Sequence, residues 1–286
     1  MGVAAQVDEQ VKLWNGAAGR AWVETREVLE GMFRPLEELL VQAVSDAAAS
    51  RVLDIGCGTG ATTFAVAQLL RQQGHCTGID VSEPMIAAAR ARAEREGRPV
   101  SFICADAQTY PFAPASFDMI ISRLGVMFFA DPVQAFANLR RAARPDAALR
   151  FIAWRGAAEN PFMTTAEQAA KPLLPDLPPR RPDAPGQFGF ADRKRVETIL
   201  EDSGWDAIAI EPVDVALGFP ASQLAHYVSW LGPVGTMLQA MEEPRRTRVI
   251  ETVRGAFDRY IHGTEIRFTA ACWMVAARAP AEAAHG

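Results

Sequence analysis

The sequence predicts an α/β fold: a doubly wound, mostly parallel sheet of seven strands with helical lid additions. Three observations support this prediction. Between residues 51 and 154, short apolar runs alternate with segments of helical composition, which is typical of parallel strands joined by right-handed crossovers. A glycine-rich turn at residues 56–60 directly follows the first apolar run. Two more apolar runs, at 205–212 and 265–277, supply the last strands.

The individual elements have recognisable limits. Ser82 and Asp131 stand where helix N-caps are expected, each with a proline just after it, and Gly204 stops a helix. The predicted helices of this part are residues 61–70, 83–96, 132–143 and 194–203. The predicted strands, in chain order, are residues 52–55, 76–80, 100–104, 117–122, 149–154, 205–212 and 265–277.

Three segments fall outside the alternating pattern. Residues 7–49 predict an N-terminal cap of two helices, and residues 222–260 form another helical stretch. Residues 156–190 are rich in proline, which is compatible with a disordered linker, but apolar anchors such as Phe162 and Phe190 favour an ordered covering loop. We therefore expect one domain over residues 1–286, with a core at 50–155 and a lid made of 156–190 and 222–260.

Composition excludes several classes of function. The formal net charge is −5 with both signs interspersed, which disfavours nucleic acid as a partner. No stretch approaches the roughly 20 apolar residues that span a bilayer, and the N-terminus lacks a basic start and an apolar core, so we expect no membrane insertion and a cytoplasmic location. The four cysteines are scattered, which predicts buried reduced thiols. A homodimer is left open.

The turn at residues 52–60 predicts a nucleotide-like ligand. Gly56, Gly58 and Gly60 allow a sharp turn that a ligand can approach closely, and the next helix directs its amides at that turn. A dinucleotide fingerprint needs its third glycine one position later, which disfavours NAD or FAD, although Ala61 fits a relaxed form of that pattern. Cys57 lies in the same turn, but no histidine is near in sequence to activate it as a catalytic thiol.

Acidic residues end the next two strands, where ligands of parallel sheets bind. Asp80 suits both hydroxyls of a ribose; its alternative role, a helix N-cap, is already met by Ser82. Asp106 suits an exocyclic adenine amine, and an ordinary surface turn is its alternative.

Taken together, these motifs resemble the class I S-adenosylmethionine-dependent methyltransferases, in particular the small-molecule branch with the ubiquinone and menaquinone C-methyltransferases. The resemblance covers residues 50–155 and implies the Rossmann-like methyltransferase fold, with S-adenosylmethionine as cofactor. It rests on residues 52–60, on residues 78–82 with Met85, on Asp106-Ala107 and on residues 117–122. One departure is Pro145-Asp146-Ala147 where the family usually has Pro-Gly-Gly, which puts the geometry of that turn in doubt.

The resemblance also implies roles for individual residues. Gly56 and Gly58 would lie under the methionine part of the cofactor, Asp80 would hold the ribose, and Asp106 would bind the adenine amine. Further implied cofactor contacts are Cys57 and Gly60 in the turn, the Ala107 amide, Val81 or Met85 against the adenine face, the Ser122 carbonyl near the methionine end, Asp54 orienting the turn, and Trp22 closing over the cofactor.

The implied reaction is methyl transfer to carbon or oxygen of a small, partly apolar metabolite, carried mainly by positioning and desolvation. Arg123 is a candidate for binding an acceptor's carboxylate or phenolate; an ion pair with a residue such as Asp131 is equally compatible. His226 and His262 are weaker candidates for a general base. Trp22 suits a cation–π contact to the sulfonium or plain packing.

Other functions remain open at this point. A protein that binds the cofactor without catalysis, as a sensor or scaffold, is one alternative, and an NAD-dependent oxidoreductase is a less favoured one. No Asn/Asp-Pro-Pro-aromatic sequence follows the fourth strand, which disfavours methylation of planar amino nitrogens. Neither Ser122 nor Arg123 is an aspartate that helps to hold a divalent ion, so we expect no metal.

Overall fold

A single continuous sheet organises the computed structural model, which describes residues 2–70, 74–181 and 184–281. Its strand order is β3-β2-β1-β4-β5-β8-β6, and β7 pairs with β8. Within the described ranges, the strands are β1 Arg51–Ile55, β2 His75–Asp80, β3 Val100–Cys104, β4 Phe117–Arg123, β5 Ala143–Trp154, β6 Asp206–Pro220, β7 Ile261–His262 and β8 Glu265–Arg278.

The predicted count of seven strands is wrong by one. The additional strand, β7, has two residues and pairs with the start of β8. A strand of two residues shows no alternation of apolar and polar positions, so the sequence carries no periodic signal for it. The mostly parallel arrangement is confirmed: β1 to β5 pair in parallel, whereas β8 runs antiparallel to both β5 and β6.

Helices cover the sheet and extend it. In the described residues they are α1 Val3–Asn15, α2 Ala17–Glu24, α3 Arg26–Asp46, α4 Ala61–Leu70, α5 Glu83–Glu96, α6 Pro132–Ala142, α7 Pro161–Ala170, α8 Arg193–Asp202, α9 Leu224–Trp230, α10 Gly232–Gln239 and α11 Arg245–Gly255. None of the helices in the described ranges combines the length and apolar character needed to cross a membrane.

The N-terminal cap has three helices instead of the predicted two. Gly16 separates α1 from α2, and Thr25 separates α2 from α3. The chain folds back tightly at the first break: a Cβ on Gly19 would stand 2.0 Å from the Trp14 carbonyl oxygen and 2.6 Å from Ser82 Oγ. This close packing brings α1 against the start of α5, where Ser82 Oγ donates to the Trp14 carbonyl oxygen at 2.7 Å.

The order in which strands are added to the sheet reverses between β1 and β4, and this switch point places a crevice beside β1. This strand is central, with β2 on one side and β4 on the other, and Val52 and Leu53 are fully buried. Because all three strands run in parallel, their carboxyl ends share one edge of the sheet, where a doubly wound fold binds its ligands. Asp146 adopts the left-handed conformation at φ 61°, so the Pro-Asp-Ala turn is made without a glycine.

The proline-rich segment and the 222–260 segment pack on each other through aromatic side chains. The Phe162 ring, on α7, stacks on Phe268 of β8 with 3.7 Å between centroids, and it also contacts Tyr227 and Phe257. Phe162 and Phe190 are buried, so these predicted anchors do pack into the core. Pro182, one of the prolines of the predicted covering loop, lies outside the described residues.

Candidate cofactor and acceptor site

A cavity lies at the carboxyl ends of β1 to β4, beneath α1 and α2. It has about 970 Å³ of space free of protein atoms, including its opening to solvent. Its lining is formed by Val7, Gln10, Val11, Trp14, Trp22, residues 55–59, Ile79, Asp80, Val81, Met85, residues 105–108, residues 123–125 and residues 128–130.

The glycine turn forms the floor of this cavity. Gly56, Gly58 and Gly60 all have positive φ, at 63°, 55° and 87°, which explains why the turn needs glycine there. The amides of Gly56 and Cys57 both donate to the Ile79 carbonyl oxygen, at 2.9 and 3.1 Å, and thereby hold the turn against the end of β2. Gly56 and Gly58 line the cavity, whereas Gly60 lies behind it, where a Cβ would meet Phe102 at 2.8 Å.

Asp80 connects the end of β2 to the turn. One carboxylate oxygen accepts the Gly58 amide at 2.9 Å, and the other accepts the Ser82 amide at 2.9 Å. Burial raises the pKa of this carboxyl, and the bonds from backbone N–H groups oppose that shift. Each oxygen retains lone pairs for a second donor, so the geometry suits a ligand with two adjacent hydroxyls.

Ser82 occupies the N-cap position of α5 but does not cap the helix with its hydroxyl. Its Oγ donates to Trp14 instead, and the Glu83 amide at the helix start donates to Asn15 Oδ1 at 2.9 Å. The N-terminus of α5 is thus satisfied from α1, which leaves Asp80 free of a capping role at that amide.

Asp106 lies in a loop that α6 holds in place. Its Oδ1 accepts the Gln108 amide at 2.8 Å. The Gln108 side chain in turn accepts the Asp131 amide at 2.9 Å, and Asn138 donates to the Ala107 carbonyl oxygen at 2.9 Å. Asp106, Ala107 and Gln108 all line the cavity, so the bonds to α6 determine where this wall stands.

Two predicted cofactor residues support the site from behind. Ser122 Oγ donates to the Ile55 carbonyl oxygen at 2.8 Å and accepts the Gly125 amide at 3.2 Å. Ser122 does not itself line the cavity, whereas the next residue, Arg123, does. Asp54 is buried beneath the turn and accepts from Thr63 Oγ1 at 2.7 Å. Burial raises the pKa of Asp54 to about 7, and the Thr63 hydrogen bond opposes that shift.

Arg123 lines the cavity next to β1 and α4. Its Nε donates to Thr62 Oγ1 at 3.1 Å, and its guanidinium carbon stands 5.5 Å from the centre of the Phe33 ring. Burial lowers the pKa of Arg123, and the charges of Glu37 and Asp54 oppose that change. Asp131 accepts the Gln134 amide and caps α6. The suggested Arg123–Asp131 ion pair is wrong, because the carboxylates that act on Arg123 are those of Glu37, Asp54 and Glu30.

An aromatic wall and α1 close the cavity from above. Trp22 stands between Trp14 and Phe33, with centroid distances of 6.1 and 6.3 Å, and Trp14 contacts Phe128 at 5.0 Å. Both tryptophans line the cavity, so Trp22 faces the predicted cofactor space and also packs between helices. Val81 and Met85 also line the cavity, and their contact with an adenine face stays a prediction.

Cys57 also lines the cavity, but its thiol is not activated. It is buried, with its sulfur 3.8 Å from the Gly58 carbonyl oxygen. Burial and the nearby Asp80 and Asp54 charges raise the pKa of the thiol well above its ordinary value. A thiol in that state is a poor nucleophile, so the geometry supports a packing role for Cys57.

The candidate bases and the predicted lid lie elsewhere. His226 contacts the Glu24 carbonyl oxygen at 3.3 Å, His262 is exposed on β7, and neither lines the cavity. The residues lining this cavity all precede position 131, so neither 156–190 nor 222–260 forms its wall in the described structure. The aromatic side chains of these two segments pack against each other and against β8 instead of against the cavity.

Some lining residues were not predicted from sequence. Val7, Gln10 and Val11 recur at helical spacing on one face of α1. That spacing identifies a face, but it does not say what the face covers. Gln108 and Phe128 carry no motif signal, because loop packing places them. In the described ranges, no group of three or more His, Cys, Asp or Glu side chains is arranged to hold a metal ion.

Comparison with known proteins identifies a methyltransferase domain within the chain. Residues 52–146 match the model of a methyltransferase domain. The aklanonic acid methyltransferase DauC of Streptomyces sp. (strain C5) is 40% identical over 107 residues, covering 37% of this chain and 49% of that protein. The demethylmenaquinone methyltransferase of Renibacterium salmoninarum is 24% identical over 211 residues, covering 71% of this chain and 86% of that protein.

A solved structure agrees on the fold. The YcgJ protein from Bacillus subtilis superposes with a TM-score of 0.55 at 19% identity, covering 86% of this chain and 98% of that one. The chain spans about half the length of the curated relatives that it matches at more than 30% identity. The glycine turn and the acidic strand ends lie within residues 52–146, so the chain carries a methyltransferase domain at these residues.

Proposed function

We propose that this protein transfers a methyl group from S-adenosylmethionine to carbon or oxygen of a small, partly apolar metabolite. The observation that carries the proposal is the position of Asp80, whose two carboxylate oxygens stand at the cavity beside the glycine turn. When bound, the cofactor supplies a methyl group made electrophilic by its sulfonium. The protein's own residues have to bind, orient and exclude water.

The lining residues fit such a cofactor chemically. Asp80 would hold the ribose hydroxyls, Asp106 the adenine amine and the Ala107 amide the ring. Val81 and Met85 would pack on the adenine face, and Gly56 and Gly58 would lie beneath the methionine part, near the Ser122 carbonyl. The cradle supports this assignment, since the backbone passes close to the cavity at positions where a positive φ favours glycine.

Positioning is the proposed source of rate enhancement. Orienting two reactants within one site is worth roughly 7–11 kcal/mol, and that requires no general base. The described cavity lining contains no histidine, lysine or tyrosine, and its ionisable side chains are Cys57, Asp80, Asp106 and Arg123. The aromatic wall of Trp14 and Trp22 is suited to excluding water and to stabilising the sulfonium cation of the cofactor.

The acceptor is proposed to be a small metabolite and not nucleic acid. The formal net charge of −5 and an apolar, aromatic wall support this choice. The cytoplasmic location and the homodimer stay predictions.

A calorimetric titration with S-adenosylmethionine, S-adenosylhomocysteine and NAD tests the cofactor assignment. We expect binding of the first two and no binding of NAD; binding of NAD alone would overturn it. Incubation with methyl-labelled cofactor and a metabolite extract then tests the reaction. Transfer of label to a small molecule is the expected result, whereas tight cofactor binding without any transfer would favour a sensor or scaffold.

A further inference from the structure

Arg123 is the one lysine or arginine side chain among the described residues that line the cavity. It follows Ser122, whose hydroxyl ties the end of β4 to the Ile55 carbonyl oxygen. The backbone of Arg123 therefore lies at the same edge of the sheet as the glycine turn. A cation at this point bears directly on which ligands the cavity accepts.

The guanidinium is held on one side and unused on another. Thr62 Oγ1 accepts from Nε at 3.1 Å, and the Phe33 ring lies 5.5 Å from the guanidinium carbon. The Nη1 atom of the same guanidinium is buried and has no hydrogen-bond partner. A buried charged donor without a partner is costly, so native structures generally satisfy it.

Charges around Arg123 come from several elements. Glu37 and Glu30 face it from α3, and Asp54 faces it from β1. None of these carboxylates is within 4.0 Å of the guanidinium nitrogens in the described structure, so none of them forms an ion pair with Arg123. Thr62 belongs to the first turn of α4, whose N-terminal amides also favour a negative charge nearby.

Resting on the methyltransferase function proposed above, we propose that Arg123 is the carboxylate-binding residue of this cavity. Its planar fork can donate two parallel N–H bonds to one carboxylate, which a single ammonium cannot do in the same way. Two sources offer that chemistry: the amino-acid tail of the cofactor and a carboxylate on the acceptor. In either case the group that Arg123 binds is a carboxylate.

The test compares ligands that differ in this group. S-Adenosylhomocysteine carries the amino-acid tail, and 5′-methylthioadenosine lacks it. Both are titrated by calorimetry into the wild type, Arg123→Met, Arg123→Lys and Arg150→Met. Arg150 is the matched control, because it is a partly buried arginine on the neighbouring strand that does not line the cavity. Benzoate and neutral benzamide are then titrated into each protein saturated with S-adenosylhomocysteine.

Two results support the proposal and separate the sources. If the cofactor tail is the partner, Arg123→Met weakens S-adenosylhomocysteine binding about 10- to 100-fold and changes methylthioadenosine binding less than about threefold. If the acceptor is the partner, both nucleosides bind normally, and the wild type's preference for benzoate over benzamide is lost in Arg123→Met. In each case Arg123→Lys lies between, and Arg150→Met matches the wild type.

The proposal is overturned if Arg123→Met changes neither comparison. Thermal unfolding shows whether each variant is folded, and if Arg123→Met is not, Arg123→Lys decides by the same comparisons. Failure of the methyltransferase function is a different result: there the wild type itself binds neither nucleoside.

Discussion

Gly56 and Gly125 touch through their main chains. A Cβ on Gly56 would stand 2.7 Å from the Gly125 Cα, and a Cβ on Gly125 would stand 2.8 Å from the Gly56 Cα. Gly125 has φ −88°, which any residue adopts, so its requirement for glycine is steric. This contact joins the turn after β1 to the turn after β4 and defines the floor of the cavity.

Gly125→Ala is therefore expected to push the two turns apart. We predict a loss of about 1–3 kcal/mol in the free energy of unfolding, typical of overpacking, and weaker binding of S-adenosylhomocysteine. Urea unfolding and calorimetry measure the two effects. Gly255→Ala is the control, because this glycine lies at the end of α11 with open space around its Cβ. Equal behaviour of the two variants would contradict the contact.

Asp54 predicts a pH dependence of stability. Burial raises its pKa from 3.8 to about 7 in the folded protein. Between these values the native state holds a proton that the unfolded chain has released, so stability falls as pH rises through this window. At about 1.4 kcal/mol per unit, the full effect above the folded pKa is on the order of 4 kcal/mol.

Asp54→Asn cannot ionise and should lack this part of the decline. Urea unfolding of both proteins at about pH 5 and about pH 8 gives the comparison. Burial also raises the pKa values of Asp80 and Glu37, but both groups are present in the two proteins and largely cancel in the difference. Parallel stability curves for wild type and variant would show that Asp54 does not titrate in this range.

Asn15 connects the end of α1 to the segment between β2 and α5. Its Nδ2 donates to the Val81 carbonyl oxygen at 3.0 Å, and its Oδ1 accepts the Glu83 amide at 2.9 Å. Asn15→Ala removes both bonds, at about 1 kcal/mol each, so S-adenosylhomocysteine should dissociate roughly 5- to 30-fold faster in stopped-flow measurements. Gln42→Ala, which removes an exposed bond on α3, is the control and should dissociate at the wild-type rate.

An unchanged dissociation rate in Asn15→Ala would mean that α1 does not retain the ligand. The aromatic contacts of Trp14 would then be enough to hold the helix in place.

The cysteines differ in predicted reactivity. Cys104 is exposed, so the expectation of a buried thiol is wrong there, whereas Cys57, Cys76 and Cys272 are buried. Burial raises the pKa of all four thiols, but only Cys104 is open to a reagent. Iodoacetamide should therefore modify Cys104 first, as measured by peptide mass spectrometry over time. Modification of Cys57 as fast as Cys104 would show that the turn is open or its thiol is activated.

Local patterns account for the parts of the site that were predicted from sequence. The glycine spacing and the acidic residues Asp80 and Asp106 at strand ends are short-range signals. They predict a ligand site because the carboxyl ends of parallel strands meet at one edge of the sheet. Helices α4 and α5 and strand β3 have the predicted limits. Local signals mark those of α5, which has a proline in its first turn and a left-handed Gly97 as its C-cap.

Contacts between distant segments could not be predicted in this way. Arg123 faces Glu37 and Phe33 of α3, whereas a sequence neighbour, Asp131, had offered the simpler pairing. The predicted lid is another case: Phe162 is an apolar anchor, but only the fold shows that it stacks on Phe268 and not on a ligand. Packing decides such partners, and composition does not record them.

The central claim is that Asp80 holds the cofactor at this cavity. Calorimetric titration of Asp80→Asn with S-adenosylhomocysteine tests it most directly. Asp118→Asn is the matched control, because Asp118 also accepts strand amides, those of Ser50 and Arg51, but lies at the amino end of β4 and away from the cavity. We predict at least about 10-fold weaker binding for Asp80→Asn and unchanged binding for Asp118→Asn. Wild-type affinity in Asp80→Asn would contradict the claim.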